Sequence, residues 1–304
     1  MSYAYEPQRK PTDSEPAWFT SALDAHVDRG VIDVAGADVH FRAWGPSGSP
    51  GIVLIHGGAA HSRWWDHVAP FLAEDKRVVA LDLTGHGDSG RRDKYGLEQW
   101  AEEALAVAEP AGITGAPIFV GHSMGGLVSF AAARLFGEEL GGVTLIDSPV
   151  RARTPEEEEA RIRQHFAPPK PYASAASALA HFRLVPPQKS TLPYVFDHIA
   201  KTSMREEDGA WVWKFDPVFF HRSGSEHLGA DDPRCRIAFF KAEHGIVSEE
   251  MVADMKRRFG PSAMFAEIPD AGHHAMIDQP LSLVTGIRTV LTAWASDDRV
   301  AGLA

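Results

Sequence analysis

The chain has a single cysteine, Cys235. No disulfide can form within it, and a cysteine-rich metal site is excluded. Its setting, the apolar stretch CRIAFF, reads as a small core residue rather than a reactive thiol. Long apolar runs are also missing, so no segment is expected to span a membrane. The N-terminus, MSYAYEPQRKPTDSEPAWF, is polar and proline-rich and lacks the apolar stretch of a signal peptide. Positive charge is in short supply: 30 Lys and Arg face 41 Asp and Glu, for a net charge of −11. That balance argues against nucleic-acid or anionic-membrane partners. No H-x-H-x-D-H or H-E-x-x-H cluster marks a metallohydrolase, so no metal site is expected. These absences lead to the expectation of a soluble, cytoplasmic protein, and they leave the oligomeric state open.

What is present is an alternation of apolar runs and helical patterns. GVIDVAGADVHFRAW (30–44) reads as a hairpin around AGAD. GIVLIHGG (51–58), RVVALDL (77–83), APIFVGH (116–122), GGVTLID (141–147), RIAFFKA (236–242) and AMFAEIP (263–269) are compact apolar runs of the buried-strand kind. Helical spacing is expected over 17–27, 61–75 despite Pro70, 97–112, 124–137 and the C-terminal PLSLVTGIRTVLTAWA. Strand–helix alternation predicts an α/β domain with a mostly parallel central sheet flanked by helices. One stretch breaks the rhythm. Residues 150–223 carry prolines, helix-like patches and the aromatic cluster WVWKFDPVFF (211–220) but no clear core strand. They are expected to be a helical lid inserted between two parts of the core, 17–149 and 224–304, with 1–16 a flexible tail.

Glycines at 121 and 125 hem in one hydroxyl in GHSMGG, that of Ser123. The pattern G-x-S-x-G between a strand and a helix is that of a nucleophile elbow. There the serine sits on a sharp turn, and Cβ atoms on its neighbours would clash. A helix starting after Ser123 also aims backbone N–H groups, first that of Met124, at the site. A phosphate loop would need Lys after Gly126, but Leu127 stands there. GHGDSG (85–90) spells a dinucleotide fingerprint, yet RRDKYG follows it instead of an amphipathic helix, so it reads as a tight loop.

With the elbow placed, most of residues 30–297 resembles an α/β-hydrolase-fold protein of the serine-nucleophile esterase or lactonase type. LIHGG (54–58), DLTGHGDSG (82–90) and IPDAGHHAMIDQP (268–280) carry the match beside the elbow. The resemblance implies a second oxyanion donor at the N–H of Gly58 and a catalytic base at His273. His122 and His274 read as packing or loop residues, and His56 and His86 as hydrogen-bonded structural ones. Many relatives carry the third member, an acid that fixes the base's tautomer, in a G-x-x-D stretch after the penultimate strand. Here that stretch, KAEHGIVSEE (241–250), has no Asp. Asp147, at the end of the strand VTLID where some branches of the superfamily carry the acid, is the first choice. Glu243 is the alternative, and Asp270 is too near His273 in sequence to orient it.

The expected function is cofactor-free serine hydrolysis of a neutral, largely apolar ester or lactone through an acyl-enzyme. A C–C hydrolase using the same triad and a ligand-binding receptor are the competing readings. Trp211, Trp213, Phe215 and Phe219 are expected to contact the ligand. The lid has no basic cluster to recognise a strongly anionic substrate.

Overall fold

The structure, a computed structural model, describes residues 15–151, 156–157, 170–221, 223, 228 and 233–300. The expected tail lies almost wholly outside the described residues, as do Pro168, Pro169 and much of the expected lid's first part. The strands in chain order are β1 (Asp28–Val34), β2 (Ala37–Trp44), β3 (Gly51–Ile55), β4 (Arg77–Leu81), β5 (Ile118–His122) and β6 (Gly142–Ile146). A separate two-stranded hairpin follows, β7 (Met204–Glu207) and β8 (Ala210–Trp213), and then β9 (Ile237–His244) and β10 (Met264–Gly272). Among the described residues one eight-stranded sheet runs in the order β1-β2-β4-β3-β5-β6-β9-β10. Its first two pairings, β1 with β2 and β2 with β4, are antiparallel, and from β4 onward every pair is parallel.

Burial explains the strand sequences. Every residue of β3, β4 and β6 is buried, as unbroken apolar runs require when both faces of a parallel sheet are covered. On one face pack α2 (Leu97–Ala108) and α3 (Met124–Leu135), joined by a later helix over Glu249–Phe259. On the other pack α1 (Ala17–Leu23) and the C-terminal helix Pro280–Val300. Among the described residues no helix is long and apolar enough to cross a membrane.

Three expectations need correction. Residues 61–75 are not one helix but two short 3₁₀ turns, Ser62–Trp65 and Ala69–Leu72. Pro70 sits at the start of the second turn, where its missing N–H costs nothing; inside a continuous helix its ring would clash with the carbonyl four residues back. The segment between β6 and β9 is not wholly helical. It holds α4 (Ala175–Ala180) and α5 (Pro193–Thr202), but the WVW cluster lies on strand β8 of the hairpin. The helix Glu249–Phe259, α6, has no counterpart in the sequence reading. Its local signals were complete: a Ser248 cap accepting the Met251 N–H, acids in the first turn, bases in the last, and Gly260 after it. Two short elements complete the chain, α7 (Ala275–Asp278) and α8 (Pro280–Val300).

A buried carboxylate ties this inserted segment to the sheet. Asp66 accepts from Arg42 of β2 (2.9 Å) and from Arg63 (3.2 Å), and His198 of α5 lies 3.1 Å away. Burial alone would raise its pKa, but Arg42, His198 and Arg63 together hold it far below the usual carboxylate range. Asp66→Asn leaves two guanidinium groups facing a neutral amide and should lower stability by about 3 kcal/mol. The denaturant midpoint measures this, and a change below about 0.5 kcal/mol, the size of an ordinary surface substitution, would remove the cluster as an anchor.

Candidate active site

The C-terminal ends of the parallel strands lie along one edge of the sheet, and the candidate residues gather there. β5 ends at His122, and Ser123 follows with φ 54° and ψ −116° before α3 begins at Met124. That left-handed backbone is strained for a residue with a side chain. The flanking glycines make it possible. A Cβ on Gly121 would overlap the Gly125 carbonyl, and one on Gly125 would overlap the carbonyls of Ile55 and His56. The Ser123 N–H donates to the Ile146 carbonyl (2.9 Å), which holds the turn against β6.

Just past β10, His273 brings Nε2 to 2.9 Å from Ser123 Oγ and Nδ1 to 2.7 Å from Asp147 Oδ2. Asp147 has no exposed surface and also takes a left-handed turn, φ 44°, at the end of β6. Its Oδ2 accepts the Ile246 N–H (2.8 Å), and Oδ1 lies 3.4 Å from the Ala242 N–H. Glu243, the alternative acid, is not on the histidine. β9 runs on through Glu243, whose exposed side chain accepts the Asp270 N–H at 2.8 Å, while the loop beyond folds the Ile246 N–H back onto Asp147. Asp270 is exposed, 3.8 Å from His244.

The neighbouring histidines have distinct partners. His56 meets the Gly57 carbonyl through Nδ1 (2.7 Å) and accepts the Leu83 N–H at Nε2 (3.1 Å), bridging two loops. His122 Nε2 lies 2.8 Å from the His273 carbonyl and His274 Nε2 3.2 Å from the Pro186 carbonyl. Burial pushes both well below the usual histidine range, and the neighbouring His273 adds to the shift. The loop bearing His273 is held by Asp278 and Gln188. Asp278 accepts the Gly272 N–H (2.6 Å) and a Gln188 amide N–H (3.1 Å), and Gln188 Oε1 accepts the His274 N–H (2.8 Å). Burial pushes the Asp278 carboxyl up to about 6. The sequence reading did not single out Gln188 or Asp278.

A cavity opens above Ser123. Gly58, Ser123 and Met124 all line it. The Met124 N–H is the first of α3 and has no intrahelical acceptor. A Cβ on Gly58 would stand 3.1 Å from the Phe219 ring and 3.7 Å from Met124 Sδ, so a side chain here would press on Phe219 and narrow the cavity. Trp213, Phe215 and Phe219 line the cavity, with Phe182 and Phe220 beside them. Trp211 does not: its backbone bridges Tyr172, two residues and roughly 7 Å along β8 from Trp213. Tyr194 packs against Trp18 and Phe19 instead, and Phe196 against Phe182. A lining residue the sequence reading passed over is Trp64, on the first 3₁₀ turn after the Gly58 loop.

Residues 52–285 match the model of the alpha/beta hydrolase family. The chain belongs to that family. Among curated relatives, this hydrolase is 29% identical to the esterase Rv0045c of Mycobacterium tuberculosis over 84% of its own length and 87% of the relative's. It is 32% identical to the lipase LipV of the same organism over 37% of its length and 42% of the lipase's. Among solved structures, E-2-(acetamidomethylene)succinate hydrolase superposes with a TM-score of 0.74 at 19% identity, covering 88% of the hydrolase and 100% of that chain, which speaks for the fold.

Gly245 gives the hydrolase a direct test of this geometry. A Cβ there would overlap the Asp147 carboxylate, so Gly245→Ala should push Asp147 off His273 while leaving the sheet intact. Displacement of about 1 Å at such a site costs about 100-fold in rate. Turnover of a chromogenic ester with circular dichroism alongside checks this, and parental turnover would show that the loop absorbs the methyl group.

Proposed function

We propose that the protein is a serine hydrolase acting on a neutral, largely apolar carboxylic ester or lactone. The observation that carries this reading is the continuous hydrogen-bonded chain Asp147–His273–Ser123, which ends in a hydroxyl on the floor of an aromatic cavity. A serine hydroxyl becomes nucleophilic when a base takes its proton. A carboxylate on the far ring nitrogen keeps that base in the right tautomer and stabilises the imidazolium.

In this mechanism Ser123 Oγ attacks the substrate carbonyl as its proton passes to His273 Nε2. Negative charge gathers on the carbonyl oxygen, where the N–H groups of Met124 and Gly58 receive it. His273 then protonates the leaving alkoxide, and an acyl-Ser123 ester remains. Water enters, gives its proton to His273, attacks the acyl carbon, and the serine is restored. Nucleophile, base and oxyanion donors all come from the chain, so no cofactor is required. The segment between β6 and β9 acts as a lid, contributing Phe182, Trp213, Phe215 and Phe219 to the walls that receive the acyl or alkoxy group. The curated relatives named as an esterase and a lipase support ester hydrolysis as the reaction class.

Ser123→Ala should fold normally, lose fluorophosphonate labelling and drop kcat by at least about 10³-fold. Asp147→Asn should cost about 10⁴-fold, because the amide presents the wrong partner to Nδ1, whereas Glu243→Gln should leave kcat near the parental value. Labelling of another residue, or the reverse ranking of the two acid variants, overturns the assignment. The aromatic walls predict that kcat/KM rises with apolar acyl length across p-nitrophenyl esters. A preference for multiply charged substrates, or turnover of ring-fission diketones in place of esters and lactones, would replace the proposed substrate class.

A further inference from the structure

We propose that His122, His273 and His274 form a three-histidine site for a divalent transition-metal ion of the zinc or copper class, and that its occupation shuts the enzyme off. One ring nitrogen of each lies within 4.8 Å of one from each of the others, and all three side chains are buried. His122 and His274 both line the cavity beside Ser123.

The hydrogen bonds set out the donors. On His122 and His274 the Nε2 atom faces a backbone carbonyl, which can only accept, so that nitrogen carries the hydrogen. The lone pair then sits on Nδ1, and neither Nδ1 has a partner among the described residues. Two buried imidazoles thus hold bare, unused lone pairs. His273 differs only in sense: its Nδ1 is held by Asp147, and its Nε2 points to Ser123. Each ring is therefore braced through the nitrogen that would not bind metal, twice by a carbonyl and once by a carboxylate. That is how histidine ligands in protein metal sites are oriented.

Neutral imidazole suits zinc, copper, nickel and cobalt, and the absence of a carboxylate among the ligands disfavours magnesium and calcium. Tetrahedral zinc with bonds of about 2.0–2.1 Å needs ligand nitrogens roughly 3.4 Å apart. From nitrogens within 4.8 Å of one another the rings must close by up to about 1.4 Å, and His273 must turn Nε2 from the serine to the ion. An ion held this way engages the lone pair that would otherwise take the serine proton. Ser123 keeps its hydrogen and remains un-ionised. The step is coordination alone, with no bond broken and no change of oxidation state. The sequence hid the cluster because His122 and His273 stand 151 residues apart and meet only when β5 and β10 end at the same edge.

The inhibitory half of the proposal rests on His273 being the base; the binding half does not, and the two are measured separately. The full chain, freed of metal by chelator, is titrated with Co²⁺ and followed by its d–d absorption, then with Zn²⁺ by calorimetry. One ion per chain is expected, with affinity weakened at least tenfold in His274→Gln and in His122→Gln, as loss of a ligand requires. His26→Gln, an exposed histidine paired with Asp28, should bind as the parent does. Circular dichroism checks each fold, and His274→Gln decides the matter should buried His122 not tolerate change. Zn²⁺ should also protect Ser123 from fluorophosphonate, with protection lost in His274→Gln. Absence of a cobalt spectrum, or binding that survives His274→Gln unchanged, overturns the site. Binding that obeys the variants while labelling of Ser123 proceeds at the parental rate overturns the inhibitory role and leaves the serine mechanism untouched.

Discussion

The arrangement at the sheet edge depends on how one buried charge is satisfied. Asp147 has no exposed surface, and among the described residues no Lys or Arg is paired with it, so its carboxylate must be satisfied by hydrogen-bond donors. The donors are His273, Ile246 and the more distant Ala242 N–H. Each belongs to a different piece of chain: the loop after β10, the loop after β9, and β9 itself. Satisfying the charge therefore fixes where two loops lie and which way an imidazole faces. The serine, fastened to β6 through Ile146, completes the same assembly from the neighbouring strand.

Of the six non-glycine residues with positive φ among the described residues, three stand past the ends of β3, β5 and β6 on this edge. Ala59, Ser123 and Asp147 all have left-handed φ values although none is glycine. Such residues cost of order 1–3 kcal/mol each and persist only where their surroundings leave no alternative. Here the surroundings are two extensive apolar clusters, one on each face of the sheet, with strands buried at every position. The rigidity of the sheet is what lets its edge remain bent.

Legibility in the sequence followed the range of the interactions. The elbow could be read because its constraint is local: glycines within two residues of Ser123 answer to overlaps with nearby carbonyls. The central strands were legible because burial on both faces forces unbroken apolar runs. The choice between Asp147 and Glu243 stayed open because the Asp147–His273 contact spans 126 residues, and because the loop after β9 covers Asp147, with Gly245 pressed on the carboxylate. α6 escaped notice because its charged surface, EEMVADMKRRF, leaves only Val252, Met255 and Phe259 buried. Trp211 and Trp213 looked equivalent in the sequence. Only the hairpin distinguishes them: Trp213 lines the cavity, with its ring also on Tyr172, whereas Trp211 does not line it and pairs with Tyr172 through its backbone.

The Gln188 side chain ties two parts of the molecule together, beside the His274–Pro186 and Leu192–Ile277 hydrogen bonds. It lies in the segment between β6 and β9, yet it holds the His274 N–H with one end and Asp278 with the other. Any swing of that segment wide enough to admit a bulky molecule must either break both bonds or drag the histidine loop along. A segment that carries walls of the cavity is thus fastened to the loop whose imidazole faces Ser123, and neither can be displaced alone without losing these bonds.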